Sequence, residues 1–153
     1  MLPILHLGAS KALIIALVWR YDAIFYSDIS AIIGGGYPLG QLTTHVLDTA
    51  KGQPADGMAW TLLKVEPQRQ EIASGHTNLN GRTDEPILKG EGFAVGTYEL
   101  IFMVGDYFQS EGLDLPNPPF LNQVVLRFGI SDDLPYHIPL LVSPYGYSTY
   151  RGS

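Results

Sequence analysis

The chain has no cysteine, few charged residues and no long apolar run. Without cysteine it can form neither disulfides nor cysteine-ligated zinc sites, and it has no thiolate nucleophile. Charged residues are only 16% of its 153 residues, the formal net charge is −6, and the lysines and arginines are scattered singly. Phosphate binding requires clustered Lys and Arg. We therefore expect no nucleic-acid partner.

The N-terminal part differs in character from the rest. Its apolar stretch at residues 12–19 is much shorter than the roughly 20 residues that cross a bilayer, so no membrane span is expected. The glycine-rich stretch 34–40 (GGGYPLG) is typical of a flexible joint. We predict an N-terminal extension over residues 1–41 and one domain over residues 42–153.

Three interpretations of the extension stay open: a dispensable segment, an amphipathic helix packed on the domain, or a degenerate export signal. The predicted location of the protein is the cytoplasm, or the periplasm if the extension acts in export.

Short runs of alternating polar and apolar residues follow from residue 42 onward, separated by Gly, Pro, Asp and Asn. This pattern predicts an all-β sandwich of two antiparallel sheets. Asp106 can begin one short helix that runs through Glu111 and ends at Gly112. The predicted strands cover residues 41–48, 58–66, 69–77, 96–104, 123–130, 136–142 and 147–151.

Three separated segments carry a family resemblance: LTTHVLDTAKGQPA at residues 42–55, NGRTDEP at residues 80–86, and the final YRGS at residues 150–153. In these segments the chain resembles the transthyretin-like 5-hydroxyisourate hydrolases. The resemblance implies a transthyretin-like sandwich that assembles as a homotetramer, a dimer of dimers. It implies hydrolysis of 5-hydroxyisourate to 2-oxo-4-hydroxy-4-carboxy-5-ureidoimidazoline in urate breakdown, with a small-molecule substrate and no cofactor.

The same resemblance implies the site. The positions that match the catalytic residues of the family are His45, Arg82, His137 and Ser153, and the predicted substrate-binding residues are Arg82, Tyr150, Arg151 and Ser153. These residue types suit the reaction. Histidine exchanges protons near neutral pH, and arginine stays cationic and presents a planar fork to an anionic ring or an oxyanion. The hydroxyl of Ser153 can orient the substrate or the attacking water.

Each of these assignments has an alternative. A lone histidine on a strand is more often structural or exposed than catalytic, and Arg82 can form a surface ion pair with Asp84 or Glu85. His45, His76 and His137 could form a three-histidine zinc site, but no local spacing brings two of them together, so we expect no metal. The alternative function is a non-catalytic carrier of small molecules on the same scaffold.

Overall fold

The structure is a computed structural model that describes residues 40–152. Residues 1–39 of the predicted extension, and Ser153, lie outside the described residues. In the part that is described, no helix is both long enough and apolar enough to cross a membrane.

The described residues form nine strands, one α-helix and a single 3-10 turn at Gly90–Gly92. The predicted sandwich with one short helix is confirmed, and the first strand has the predicted bounds. The elements are β1 (Gln41–Asp48), β2 (Gln53–Pro54), β3 (Ala59–Lys64), β4 (Gln70–His76), β5 (Leu88–Lys89), β6 (Gly96–Phe102), α1 (Val104–Ser110), β7 (Val124–Ile130), β8 (Tyr136–Ser143) and β9 (Gly146–Thr149).

The first sheet has five strands, in the order β2-β1-β8-β9, with β5 also paired to β1. It differs in one respect from the expected antiparallel arrangement, because β1 and β8 run parallel over seven residue pairs, from Leu42↔Tyr136 to Asp48↔Val142. The second sheet has four strands in the order β4-β3-β6-β7, and all of its pairs are antiparallel.

The inner faces of the two sheets form one hydrophobic core. On β1, buried residues alternate with residues that face outward, which is the period of a strand with one buried face. Leu42 and Val46 face the core, whereas Thr43 and His45 lie half-buried on the opposite face. The same alternation on β8 buries Ile138 and leaves His137 half-buried. The outer face of the first sheet therefore carries both histidines.

The helix begins earlier than the sequence pattern predicts. It starts at Val104 rather than at Asp106, with Met103 in the cap position, and Glu111 is its C-cap. Val104, Tyr107 and Phe108 are buried in the core, so burial of an apolar residue determines the first turn more than the capping preference of an aspartate does. Gly112 follows with φ = +84°, the left-handed conformation expected where a helix ends.

A buried carboxylate ties this helix to the end of β1. Asp48 is fully buried, and its carboxylate accepts hydrogen bonds from the Ala50 and Lys51 amides and from the Tyr107 hydroxyl. Burial, followed by the negative charge of Asp48, raises the pKa of Tyr107 to about 12. The phenol therefore stays protonated and can donate to the carboxylate throughout the neutral range.

Candidate active site

His45 lies in the middle of β1, where the strand is paired on both sides. Its neighbour on one side is Pro139 of β8, and on the other side Arg82 forms an isolated antiparallel bridge with it. Residues opposite each other in a bridge project their side chains from the same face of the sheet. Arg82 is therefore placed beside His45 on the outer face.

The loop that carries Arg82 is organised by Asn78 and Gly81. The Asn78 amide donates to the Arg82 carbonyl at 2.7 Å, and the Asn78 Oδ1 atom accepts hydrogen bonds from the amides of Asn80 and Arg82. The Gly81 carbonyl accepts the Val46 amide at 2.8 Å. Gly81 has φ = +69°, and a Cβ atom there would lie 2.3 Å from the Val46 carbonyl oxygen, so this turn requires glycine.

The surface ion pair considered for Arg82 does not form. Asp84 accepts a hydrogen bond from the side-chain amide of Asn78, and Glu85 pairs with Lys89. Both candidate carboxylates therefore have other partners, while Arg82 itself is exposed on the outer face.

His137 lies opposite Thr43 in the parallel pairing of β1 and β8. Its Nδ1 atom is 2.9 Å from the Thr43 hydroxyl, which is also 3.4 Å from the Tyr136 carbonyl oxygen. When the hydroxyl donates to that carbonyl, its oxygen accepts the Nδ1–H of the imidazole. Nε2 is then unprotonated and can act as a base.

The strand register brings the two histidines close together. Thr43 pairs with His137 and His45 pairs with Pro139, so the histidines are offset by two residues on adjacent strands. A strand spacing of about 4.8 Å and a rise of about 3.3 Å per residue put their Cα atoms roughly 8 Å apart. Arg82 lies on the far side of His45 from β8.

The electrostatics of the site keep both imidazoles neutral. Burial lowers the pKa of His45, the positive charge of Arg82 lowers it further, and a hydrogen bond with the Asn80 backbone opposes these effects. Burial also lowers the pKa of His137, followed by the charge of Arg82 and by the repulsion that His45 exerts in its protonated form. At neutral pH the site therefore presents two uncharged bases beside one permanent cation.

The tail, defined as residues 150–153, passes beside His137. Gly152 forms an isolated antiparallel bridge with His137, and its amide donates to the His137 carbonyl at 2.8 Å. The register of the β8–β9 pairing places Tyr150, which is 61% exposed, on the same face as His137. Arg151 differs, because its guanidinium lies 4.4 Å from the centroid of the Tyr136 ring.

The structure thus brings together His45, Arg82, His137 and the described part of the tail, whereas Ser153 lies outside the described residues. His76 is on β4 of the second sheet. Among the described residues no group of three His, Cys, Asp or Glu side chains could hold a metal ion, so the three-histidine alternative does not form in this part of the chain.

Thr43 and Asn78 are not among the site residues predicted from the sequence, yet each contacts a residue of the site. For both residues the sequence contains a pattern that indicates a place near the site. Thr43 lies two residues before His45 and therefore shares its face on a strand. Asn78 precedes a glycine-containing loop, where an asparagine side chain commonly accepts hydrogen bonds from amides two or more residues ahead.

Comparison with known proteins identifies the family of the chain. Residues 42–152 match the sequence model of the HIUase/Transthyretin family. The chain belongs to this family. A family member from Rhizobium meliloti, named 5-hydroxyisourate hydrolase 2, is 60% identical over 116 residues, which are 74% of this chain and 97% of that protein. The 5-hydroxyisourate hydrolase of Pseudomonas aeruginosa is 57% identical over 122 residues, 78% of this chain and 97% of that protein.

Two solved structures with this fold are a hydrolase and a thyroxine-bound protein. The 5-hydroxyisourate hydrolase of Klebsiella pneumoniae superposes with a TM-score of 0.63 at 31% identity, over 75% of this chain and all (100%) of that chain. Sea bream transthyretin in complex with thyroxine superposes with a TM-score of 0.65 at 25% identity, over 73% of this chain and 94% of that chain. The fold is therefore common to the enzyme and to the thyroxine-bound protein, and the site residues must distinguish them.

Proposed function

We propose that this chain hydrolyses 5-hydroxyisourate to 2-oxo-4-hydroxy-4-carboxy-5-ureidoimidazoline. The observation that carries the proposal is the outer face of the first sheet, where two histidines of lowered pKa lie beside the cationic Arg82. The relative from Rhizobium meliloti, 60% identical to this chain, is named for the same hydrolysis. The reaction belongs to urate breakdown and requires no cofactor.

In the proposed mechanism a neutral imidazole takes a proton from water, and the resulting hydroxide attacks a carbonyl carbon of the substrate ring. Negative charge then develops on the carbonyl oxygen, and the guanidinium of Arg82 stabilises it. The ring C–N bond breaks, the electron pair goes to nitrogen, and a histidine in its protonated form supplies the proton that the nitrogen needs. His45 and His137 share these two proton transfers.

Substrate binding in this proposal involves Arg82, Tyr150 and Ser153 directly, and Arg151 indirectly, because the guanidinium of Arg151 lies over the Tyr136 ring. Arg82 also attracts the anionic ring of the substrate before the reaction. Tyr150 shares the face of His137 and can cover the ring with its own aromatic ring. The hydroxyl of Ser153 would orient the substrate or the attacking water.

We further propose a homotetramer built as a dimer of dimers. Its support is the exposed aromatic surface around β9: Tyr145, Tyr147 and Tyr150 are 64%, 49% and 61% exposed. Exposed apolar groups next to an unpaired strand edge are typical of a surface that another subunit covers. Light scattering should return a mass of about four chains, and a stable and active monomer would contradict the arrangement.

The domain division at residue 41 and the cytoplasmic location also belong to this proposal. The family match begins at Leu42, which supports a separate role for residues 1–41. Assaying the full chain beside a version that begins at Gln41 tests whether the extension matters for hydrolysis. Fractionation of cells that express the full chain distinguishes the cytoplasm from the periplasm.

The central experiment follows the spectroscopic decay of freshly made 5-hydroxyisourate with and without protein. His45→Asn and His137→Asn should each slow the decay by about a hundredfold. Each removes a side chain that transfers a proton in the reaction, and such a transfer contributes about two or more decades in rate. His76→Asn is the matched control and should retain full activity, since it lies on the other sheet. If wild type accelerates the decay of 5-hydroxyisourate and both variants accelerate it equally, the catalytic roles assigned to His45 and His137 are wrong.

The second candidate function is a non-catalytic carrier, and the observation in its favour is the fold shared with thyroxine-bound transthyretin. A carrier would leave the decay of 5-hydroxyisourate unchanged while binding an aromatic ligand. The decay assay therefore separates the two functions, and a wild-type protein without any effect on the decay would favour the carrier.

A further inference from the structure

The tail beyond β9 follows a defined path rather than ending at the last residue of the strand. The pairing register of β8 and β9 runs from Ser143↔Gly146 to Leu140↔Thr149, and the same register continues to the bridge between His137 and Gly152. Side chains alternate between faces in such a register. Gly152 consequently lies on the face of His137, and the Arg151 side chain projects to the opposite face.

Gly152 is in direct contact with the His137 side chain. A Cβ atom at position 152 would lie 2.5 Å from the Cδ2 atom of the imidazole and 3.0 Å from the His137 Cβ atom. The glycine backbone therefore packs against the ring, leaving no space for a larger residue. Thr43 contacts the Nδ1 atom of the same ring. His137 is thus held at two of its ring atoms, by Thr43 at Nδ1 and by the tail at Cδ2.

A second contact retains the described part of the tail, namely the stacking of Arg151 on Tyr136. The Tyr136 ring is 4% exposed, and its hydroxyl donates to Asp132 at 3.1 Å and accepts the Ser131 amide at 3.0 Å. The ring is therefore a fixed surface, and the guanidinium of Arg151 lies 4.4 Å from its centroid. A cation in this position is attracted by the negative face of the ring.

We propose that Tyr136 and Arg151 clamp the tail so that Gly152 stays against the imidazole of His137. Both are positioning residues that act through Gly152 and His137. The consequence for the reaction rests on the proposed function, but the clamp itself does not. Because residues beyond the last strand have few contacts, they fray unless something holds them. In this arrangement Arg151 contributes to turnover by ordering the tail and not by touching the substrate.

The test measures the hydrogen-exchange rate of the Gly152 amide by NMR in the full chain. Each rate is divided by the rate of the same amide in a short peptide that carries the same substitution. Arg151→Gln should speed exchange about two- to fivefold, the factor that a cation–π contact at an exposed site supplies. Arg151→Lys keeps a cation and should restore part of the protection. Arg127→Gln is the matched control, since Arg127 is an exposed arginine on the second sheet. It should leave the Gly152 exchange unchanged.

A double-mutant cycle with Tyr136→Leu separates the clamp from direct substrate binding. When the ring is absent, Arg151→Gln should have no further effect on exchange or on kcat, whereas Tyr136→Phe keeps the ring and should retain protection. If Arg151→Gln raises KM equally in both backgrounds and leaves Gly152 exchange unchanged, the clamp is refuted and Arg151 binds the substrate. If Tyr136→Leu does not fold, the comparison of Arg151→Gln with Arg151→Lys decides the matter. A wild-type protein without hydrolase activity would refute the proposed function, yet the exchange measurement would still test the clamp.

Discussion

Replacing Arg82 by alanine should slow hydrolysis of 5-hydroxyisourate by about a hundredfold or more. The reason is that Arg82 is the cation whose charge acts on both histidines. Removing a charge that stabilises a developing oxyanion costs about 3 kcal/mol, which is roughly two decades in rate. The fold should remain intact. Arg82 is exposed, and the hydrogen bonds that organise its loop are made by its backbone.

The same substitution should raise the pKa of both histidines. The charge of Arg82 is the second cause, after burial, of the lowered pKa of His45 and of His137. Without this charge both imidazoles protonate at a higher pH, so the acid limb of kcat/KM should move to higher pH. NMR titration of the imidazole Cε1–H signals measures the shift directly. Arg82→Lys is the matched control, because it keeps the charge and loses the planar fork.

The sign of the effect on stability follows from the same shifts. Both histidines have a folded pKa below the ordinary value of about 6.5, so the unfolded chain binds protons more readily. Their contribution to the free energy of unfolding is present above about pH 6.5 and is lost as the pH falls through their folded pKa values. Arg82→Ala should make this loss smaller. Unchanged histidine titrations together with full activity would refute the role assigned to Arg82.

Three further perturbations test other parts of the structure. Gly81→Ala should lower the free energy of unfolding by about 1–3 kcal/mol and also slow turnover, because the new Cβ atom would meet the Val46 carbonyl and displace the loop. Chemical denaturation measures the change in stability, and the decay assay measures the change in turnover. Tyr107→Phe should cost about 2 kcal/mol of stability, since it removes a hydrogen bond to the buried carboxylate of Asp48, and the decay assay should show unchanged activity. Deleting residues 151–153 should sharply weaken hydrolysis with little change in Tm, since the tail has few core contacts. Full activity of the truncated protein would refute a role of the tail in hydrolysis.

Much of this protein can be predicted from local sequence patterns. The alternation of residues 41–48 predicts the bounds of β1 and places Thr43 and His45 on one face, because the side chains of a strand alternate with a period of two. The structure shows that this face is the outer one. The family motifs predict which histidines and which arginine belong to the site. Where local preference and packing compete, prediction is weaker: the helix begins at Val104 because the core buries that residue, and not at the aspartate that would cap it.

The sequence does not show how distant segments meet, and only the tertiary structure decides this. His45 and His137 share a surface because β1 and β8 pair in parallel in one particular register, and a shift of one residue would turn one of them toward the core. No local pattern specifies a register between strands separated by most of the domain. The same holds for the contact of Gly152 with His137, which depends on how far the pairing of β8 and β9 continues beyond Thr149. Residue types determine which chemistry is possible here, but register determines which residues perform it together.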